Sequence, residues 1–102
     1  MKTAVKEKIT FSNWDLAETL ETKEDIIACL EVAIAESDTK FLFKTLGALS
    51  RSKGMTQIAR ELGVTREGLY KSLSPDGHPS FETVLKLFDL LGMRVRLEPK
   101  SV

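Results

Sequence analysis

Hydrophobic residues recur at helical spacing in five stretches of this chain. Apolar positions return every three or four residues over about 23–36, 39–53, 56–62, 66–73 and 81–91. Each stretch is long enough for at least two helical turns, and polar or glycine-containing segments separate the stretches. We therefore predict an all-α fold of five helices.

Short polar side chains and glycines mark the predicted helix ends. Serine, threonine and aspartate accept hydrogen bonds from first-turn N–H groups, and glycine accepts the left-handed backbone that ends a helix. The predicted N-caps are Thr22, Asp38, Thr65 and Ser80, and the predicted stops are Gly54, Gly63 and Gly92. The segment 74–79 is rich in turn formers and predicts a loop with a type I turn.

The helical spacing also predicts which faces are buried. In the first helix the predicted core face is Ile26, Ile27, Leu30 and Ile34. In the last helix it is Phe81, Val84, Leu85, Phe88 and Leu91.

The two ends of the chain differ from this helical pattern. Residues 1–21 have a mixed pattern, and we predict an N-terminal helical arm in which Asp15 caps a short helix. Residues 93–97 alternate strictly between apolar and basic, which predicts a short C-terminal β-strand. An isolated strand is unstable, so we expect two copies of the chain to pair through the last helix and this strand.

The predicted dimer interface consists of Leu87, Leu90, Met93, Val95 and Leu97. Leu87 and Leu90 lie beside the predicted core face of the last helix, which leaves them free for a partner. The alternative is that these leucines complete the core of the protomer itself.

Residues 56–73 match the requirements of a helix-turn-helix. Ala59 is small enough for close helix approach, Gly63 tolerates a left-handed turn, Val64 supplies an apolar plug, and Thr65 caps the second helix. We therefore interpret residues 22–102 as a helix-turn-helix DNA-binding domain. The alternative is a purely structural motif, because an alanine four residues before a glycine occurs in many helical proteins.

The second helix of this motif predicts a DNA-reading face. At 100° per residue, Leu69 points inward while Glu67, Tyr70 and Lys71 point outward, with Arg66 at the margin. Arginine can donate two hydrogen bonds to guanine O6 and N7, and glutamate can accept a hydrogen bond from cytosine N4. With the polar residues that flank this face, the candidate DNA-binding residues are Lys53, Thr56, Gln57, Thr65, Arg66, Glu67, Tyr70 and Lys71.

Charge is segregated along the chain although the formal net charge is zero. Residues 1–38 carry nine acids against four lysines, whereas residues 40–73 carry seven basic residues against two acids. Attraction between a basic side chain and a phosphate acts over about 10 Å in physiological salt. For binding to DNA, the local basic excess around the motif therefore matters more than the net charge of the whole chain.

Several functions are excluded by what the sequence lacks. With Cys29 as the only cysteine and His78 as the only histidine, the chain has neither an internal disulfide nor a zinc site of the Cys/His type. We see no pair of nucleophile and base, and so expect neither an enzyme nor a cofactor. The absence of a long apolar run predicts a cytoplasmic protein that does not enter a membrane.

Four segments carry a more specific resemblance: MTQIARELG (55–63), TREGLYK (65–71), LSPDG (73–77) and PSFETVL (79–85). Through these four segments, the chain from residue 15 to residue 99 resembles bacterial addiction-module antidote proteins (antitoxins) with a phage-repressor-type (Xre/HigA-like) helix-turn-helix. The resemblance implies a dimeric repressor that binds its own operator and neutralises a small RelE/ParE-like toxin, typically an RNA-cleaving protein. Gln57 matches the phosphate-clamping glutamine of such repressors, and Arg66 and Glu67 match their first base-reading positions.

The acidic N-terminal part is the natural place for a basic toxin to bind, with Phe11 and Trp14 as candidate anchors. The alternative is that Trp14 packs on the protomer's own core. Two other functions also remain open: a free-standing helix-turn-helix regulator without a toxin, and a purely protein-binding helical module.

Overall fold

Residues 23–101 are described in a computed structural model of the chain, and they form five α-helices and no β-strand. The helices are α1 (Lys23–Ala35), α2 (Thr39–Lys53), α3 (Met55–Leu62), α4 (Arg66–Ser72) and α5 (Phe81–Leu90). The prediction of an all-α fold with five helices is confirmed for residues 23–101. The predicted arm, with Phe11, Trp14 and Asp15, and the cap Thr22 lie outside the described residues.

Three of the predicted N-caps are present as hydrogen bonds. Asp38 Oδ1 accepts from the Phe41 N–H at 3.1 Å, and Thr65 Oγ1 accepts from the Gly68 N–H at 2.9 Å. Ser80 Oγ likewise accepts from a first-turn N–H of α5 at 3.1 Å. Each cap satisfies a donor that the helix itself leaves without a partner, which explains why the helices begin where the sequence predicts.

The helix α3 lies at the centre of the domain and packs against α2, α4 and α5, while α1 packs on α2. Around α3 the buried core consists of Met55, Ile58, Ala59, Leu69, Leu73 and Leu87. A second cluster joins α1, α2 and α5 through Leu30, Leu46, Val84 and Phe88. The core therefore fixes α4 against α3.

The predicted core faces of α1 and α5 were partly wrong. Phe81 is 76% exposed and Leu85 is 40% exposed, whereas Leu87 is fully buried. Apolar residues surround most of α5, so their spacing fits more than one face, and packing against α3 selects the face that contains Leu87. In α1, Ile27 and Ile34 are exposed in the same way.

The predicted C-terminal strand is absent from the described residues. Residues 93–101 follow the stop at Gly92 without regular structure, because no second strand lies beside them to accept their hydrogen bonds. Val95 and Leu97 are exposed, Leu97 at 93%. Leu87 has no surface left for a partner, so it belongs to the protomer's core and not to a dimer interface.

Candidate nucleic-acid interface

The turn between α3 and α4 is built from the glycine that the sequence predicts. Gly63 has a left-handed φ of 75°, and its N–H donates to Arg60 O at 3.1 Å. The next N–H, from Val64, donates to Ala59 O at 3.0 Å. The Val64 side chain, however, is 44% exposed, so the predicted apolar plug was wrong. The partly buried Leu62 packs against the core instead.

A tight loop fixes the far end of α4. Gly77 donates its N–H to Ser74 O at 2.9 Å, which closes the predicted turn. A Cβ added to Gly77 would lie only 2.1 Å from Ser72 O and 2.4 Å from Lys71 O. Only glycine therefore allows this loop to approach the last carbonyls of α4 so closely.

The helix α4 presents a polar outer face, which we define as Arg66, Glu67, Tyr70 and Lys71. All four residues are exposed, whereas Leu69 on the opposite side is 1% exposed and packs into the α3 core. The Arg66 guanidinium carbon lies 5.7 Å from the centre of the Tyr70 ring, within the range of a cation–π contact. Neither Arg66 nor Lys71 forms an ion pair within residues 23–101.

A shallow cleft joins this outer face to the start of α3. Arg66 Nη1 donates to Thr56 Oγ1 at 3.4 Å across the cleft. Its lining consists of Gly54, Met55, Thr56, Gln57, Arg60, Glu61 and Arg66. The structure thus brings three sequence-predicted residues, Thr56, Gln57 and Arg66, to one exposed surface.

Arg60 also lines this cleft and was not among the residues predicted from the sequence. It lies one helical turn after Thr56, so the two side chains share a face of α3. That spacing was the available signal. Arg60 adds a second guanidinium beside Arg66 and makes the cleft more basic than predicted, although Glu61 contributes one opposing charge.

Lys53 is placed differently from the expectation. Its ammonium group donates a hydrogen bond to the backbone carbonyl of Leu90, the last residue of α5. This contact joins the end of α2 to the end of α5 and satisfies a carbonyl that α5 leaves open. Lys53 is nevertheless exposed, and its role as a DNA contact stays a prediction.

Residues 23–101 contain neither a candidate metal site nor a candidate membrane span. No group of three or more His, Cys, Asp or Glu side chains in this part of the chain is arranged to hold a metal ion. None of the helices in this part is long and apolar enough to cross a membrane.

The fold and the cleft define a class: a small all-α protein in which two consecutive helices, joined by a left-handed glycine, present one exposed polar surface with two arginines. The chain belongs to the family described as probable addiction module antidote proteins, whose model matches residues 10–99. A relative from Haemophilus influenzae (strain Rd), described as an uncharacterized protein, is 37% identical over 86 residues, which is 84% of this chain and 89% of the relative. No solved structure matches the chain.

Membership of this family indicates an antidote, or antitoxin, of an addiction module and implies a cognate toxin as its partner. The family of antidotes is typically non-enzymatic.

Proposed function

We propose that this antitoxin is also a transcriptional repressor that binds its own operator through α3 and α4, which act as a helix-turn-helix of the phage-repressor (Xre/HigA-like) type. The observation that supports this most is the cleft in which Thr56, Gln57 and Arg66 meet beside the outer face of α4. A purely protein-binding module has no need for this arrangement of polar and basic groups at one helix junction.

In this proposal the outer face of α4 enters the major groove. Arg66 donates two hydrogen bonds to guanine O6 and N7, and Glu67 accepts a hydrogen bond from cytosine N4. Tyr70 and Lys71 lie further along the same face and reach thymine methyl groups or phosphates. Because Leu69 is buried and Thr65 caps the helix, α4 is held rigidly enough for its side chains to select bases.

The phosphate contacts come from the α3 side of the cleft. Thr56 and Gln57 are exposed in the first turn of α3, and Arg60 follows on the same face. Hydroxyl, amide and guanidinium donors are the groups that position a protein on the DNA backbone. Contacts of this kind set orientation, so that Arg66 meets the bases in one register.

We propose a homodimer that forms through the C-terminal segment. Leu90 and Met93 are partly buried, whereas Val95 and Leu97 are exposed apolar side chains in a segment without regular structure. A two-fold axis through this segment would bury them and place two α4 helices on successive turns of DNA, about 34 Å apart. The interface no longer includes Leu87.

The proposed toxin is of the RelE/ParE-like class, and it binds the acidic N-terminal part of the chain. In α1, Glu24 and Glu31 are exposed and continue the acidic character of that part. Phe11 and Trp14 remain the proposed anchors. A basic toxin would be attracted to these acidic residues, whereas the basic residues between 40 and 73 would contact DNA. The implied toxin partner also favours an antitoxin over a free-standing regulator.

Footprinting on the DNA upstream of the protein's own gene tests the repressor, with and without the product of the neighbouring gene. The proposal predicts a protected inverted repeat, and equal binding to any duplex would contradict it. Calorimetry with the chain lacking residues 1–21 tests the toxin surface. Toxin affinity should fall strongly, and unchanged affinity would rule out the arm.

A further inference from the structure

One face of α2 carries three basic side chains that sequence analysis did not place in any site. Lys40, Lys44, Gly47 and Arg51 follow each other at intervals of four, three and four residues, which puts them on one side of the helix. The opposite side of α2, with Leu46 and Ser50, is buried. We call Lys40, Lys44 and Arg51 the basic ridge.

The basic ridge borders a cleft that reaches the recognition helix. This cleft is lined on one side by the ridge and on the other by Tyr70, Leu73, Ser74 and Pro75 at the end of α4. Gly47 lies where the two helices meet, since a Cβ on it would be 3.8 Å from both the Leu73 Cβ and Arg51 Nη1. The Arg51 guanidinium is therefore held over Gly47, next to the end of α4.

The cations of the ridge are available for an outside partner. Lys40 and Arg51 are exposed and Lys44 is half-buried, and none of them forms an ion pair within residues 23–101. Among the described residues that line the cleft, Asp38 is the one acid, and one of its oxygens caps α2 by accepting from the Phe41 N–H. These described lining residues together carry an excess of positive charge.

We propose that the basic ridge is a second phosphate-contacting surface, which holds the backbone of duplex DNA alongside the groove that α4 enters. Tyr70 belongs both to the outer face of α4 and to this cleft, so the two surfaces are continuous. The ridge extends over about 16 Å at 1.5 Å per residue, a length along which a DNA strand presents several phosphates. This inference rests on the proposed DNA binding and assigns it residues outside α3 and α4.

Contacts of this type have a measurable signature. Each phosphate that a lysine or arginine neutralises releases counterions, so the logarithm of the binding constant falls with the logarithm of salt concentration by about 0.9 per contact. Phosphates are the same in every sequence. Loss of ridge cations must therefore weaken binding to operator and random DNA equally, unlike loss of a base contact.

The test compares Lys44→Gln/Arg51→Gln with the control Lys23→Gln/Lys100→Gln, which removes the same charge from exposed positions outside the ridge. The affinity for the upstream duplex and for a random duplex of equal length is measured at several salt concentrations between about 50 and 200 mM. The ridge variant should lose about 1.8 from the salt slope and roughly tenfold in affinity per cation near 0.1 M salt, on both duplexes. The control variant should have the salt slope and the affinity of the original chain.

The outcomes separate the ridge from the proposed function. If the original chain binds no duplex, the repressor proposal fails; if it binds and the ridge variant keeps its slope, only the ridge is overturned. Weakened toxin binding with an unchanged slope would also overturn the ridge and assign it to the toxin. If the double variant loses its thermal transition, Lys40→Gln at the exposed start of α2 gives the same test, with an expected slope loss of about 0.9.

Discussion

Arg66 Nη1 lies 3.4 Å from Thr56 Oγ1, so the residue that begins α4 is in contact with the first turn of α3. The same guanidinium lies 5.7 Å from the ring centre of Tyr70, one turn along α4. Arg66 is thus oriented by a contact on each side within the domain. A side chain that is already oriented loses less conformational entropy when it binds a partner, and this supports the proposal that Arg66 contacts a base.

The first prediction concerns the cap of α4. Thr65→Ala removes the hydroxyl that accepts from the Gly68 N–H, and should lower the free energy of unfolding by about 1 kcal/mol. Urea denaturation measures this. Thr65→Ser keeps the oxygen and is the matched control, so equal stability of the alanine and serine variants would contradict the cap.

The second prediction concerns the loop behind α4. Gly77→Ala places a methyl group 2.1 Å from Ser72 O, so either the loop or the end of α4 must move. We expect a loss of about 1–3 kcal/mol in the free energy of unfolding, measured by thermal or urea denaturation. Asp76→Ala, in the same turn, is the control and should stay within about 0.5 kcal/mol. Stability as high as that of the control would show that the close approach is not required.

The third prediction follows from the position of Lys53. Lys53→Met removes the hydrogen bond to the Leu90 carbonyl while keeping an apolar stem, and should reduce stability by up to about 1 kcal/mol. The salt dependence of DNA binding should be unchanged, because the ammonium is engaged at the end of α5. A salt slope that falls by about 0.9 would show that Lys53 contacts a phosphate.

The fourth prediction tests the proposed dimer. Val95→Asp/Leu97→Asp places charges on the exposed apolar side chains of the C-terminal segment, and should convert a dimer to a monomer in sedimentation. Phe81→Asp is the control, because Phe81 is also exposed and apolar but lies on α5 outside the proposed interface. A dimer that survives the double substitution would place the interface elsewhere.

Local signals in the sequence predicted most of the fold. Asp38, Thr65 and Ser80 mark helix starts through their own side chains, and Gly63 marks the turn through its own backbone, so no distant residue is needed to identify them. The core face of α5 was not predictable in this way. Its leucines surround the helix, and only packing against α3 determines that Leu87 is buried and Leu85 is not.

The candidate site was also predicted in part from the sequence. The motif fixes which helix positions meet, so it predicted that Thr56, Gln57 and Arg66 share one surface, while their contact with DNA stays a prediction. The contact of Lys53 with the Leu90 carbonyl was not predicted, since the two residues lie 37 positions apart and no local pattern connects them. The basic ridge was visible as charges on α2, but its position beside Tyr70 depends on how α2 packs against the end of α4.

The most direct test of the account is the effect of Arg66→Ala on sequence choice. Affinity is measured for the upstream duplex and for a random duplex of equal length, in the same salt. The account predicts a loss of about 1–3 kcal/mol on the upstream duplex, relaxed selectivity at one base pair, and a much smaller loss on random DNA. Equal losses on the two duplexes would show that Arg66 contacts only phosphate and would contradict the assignment of α4 as the recognition helix.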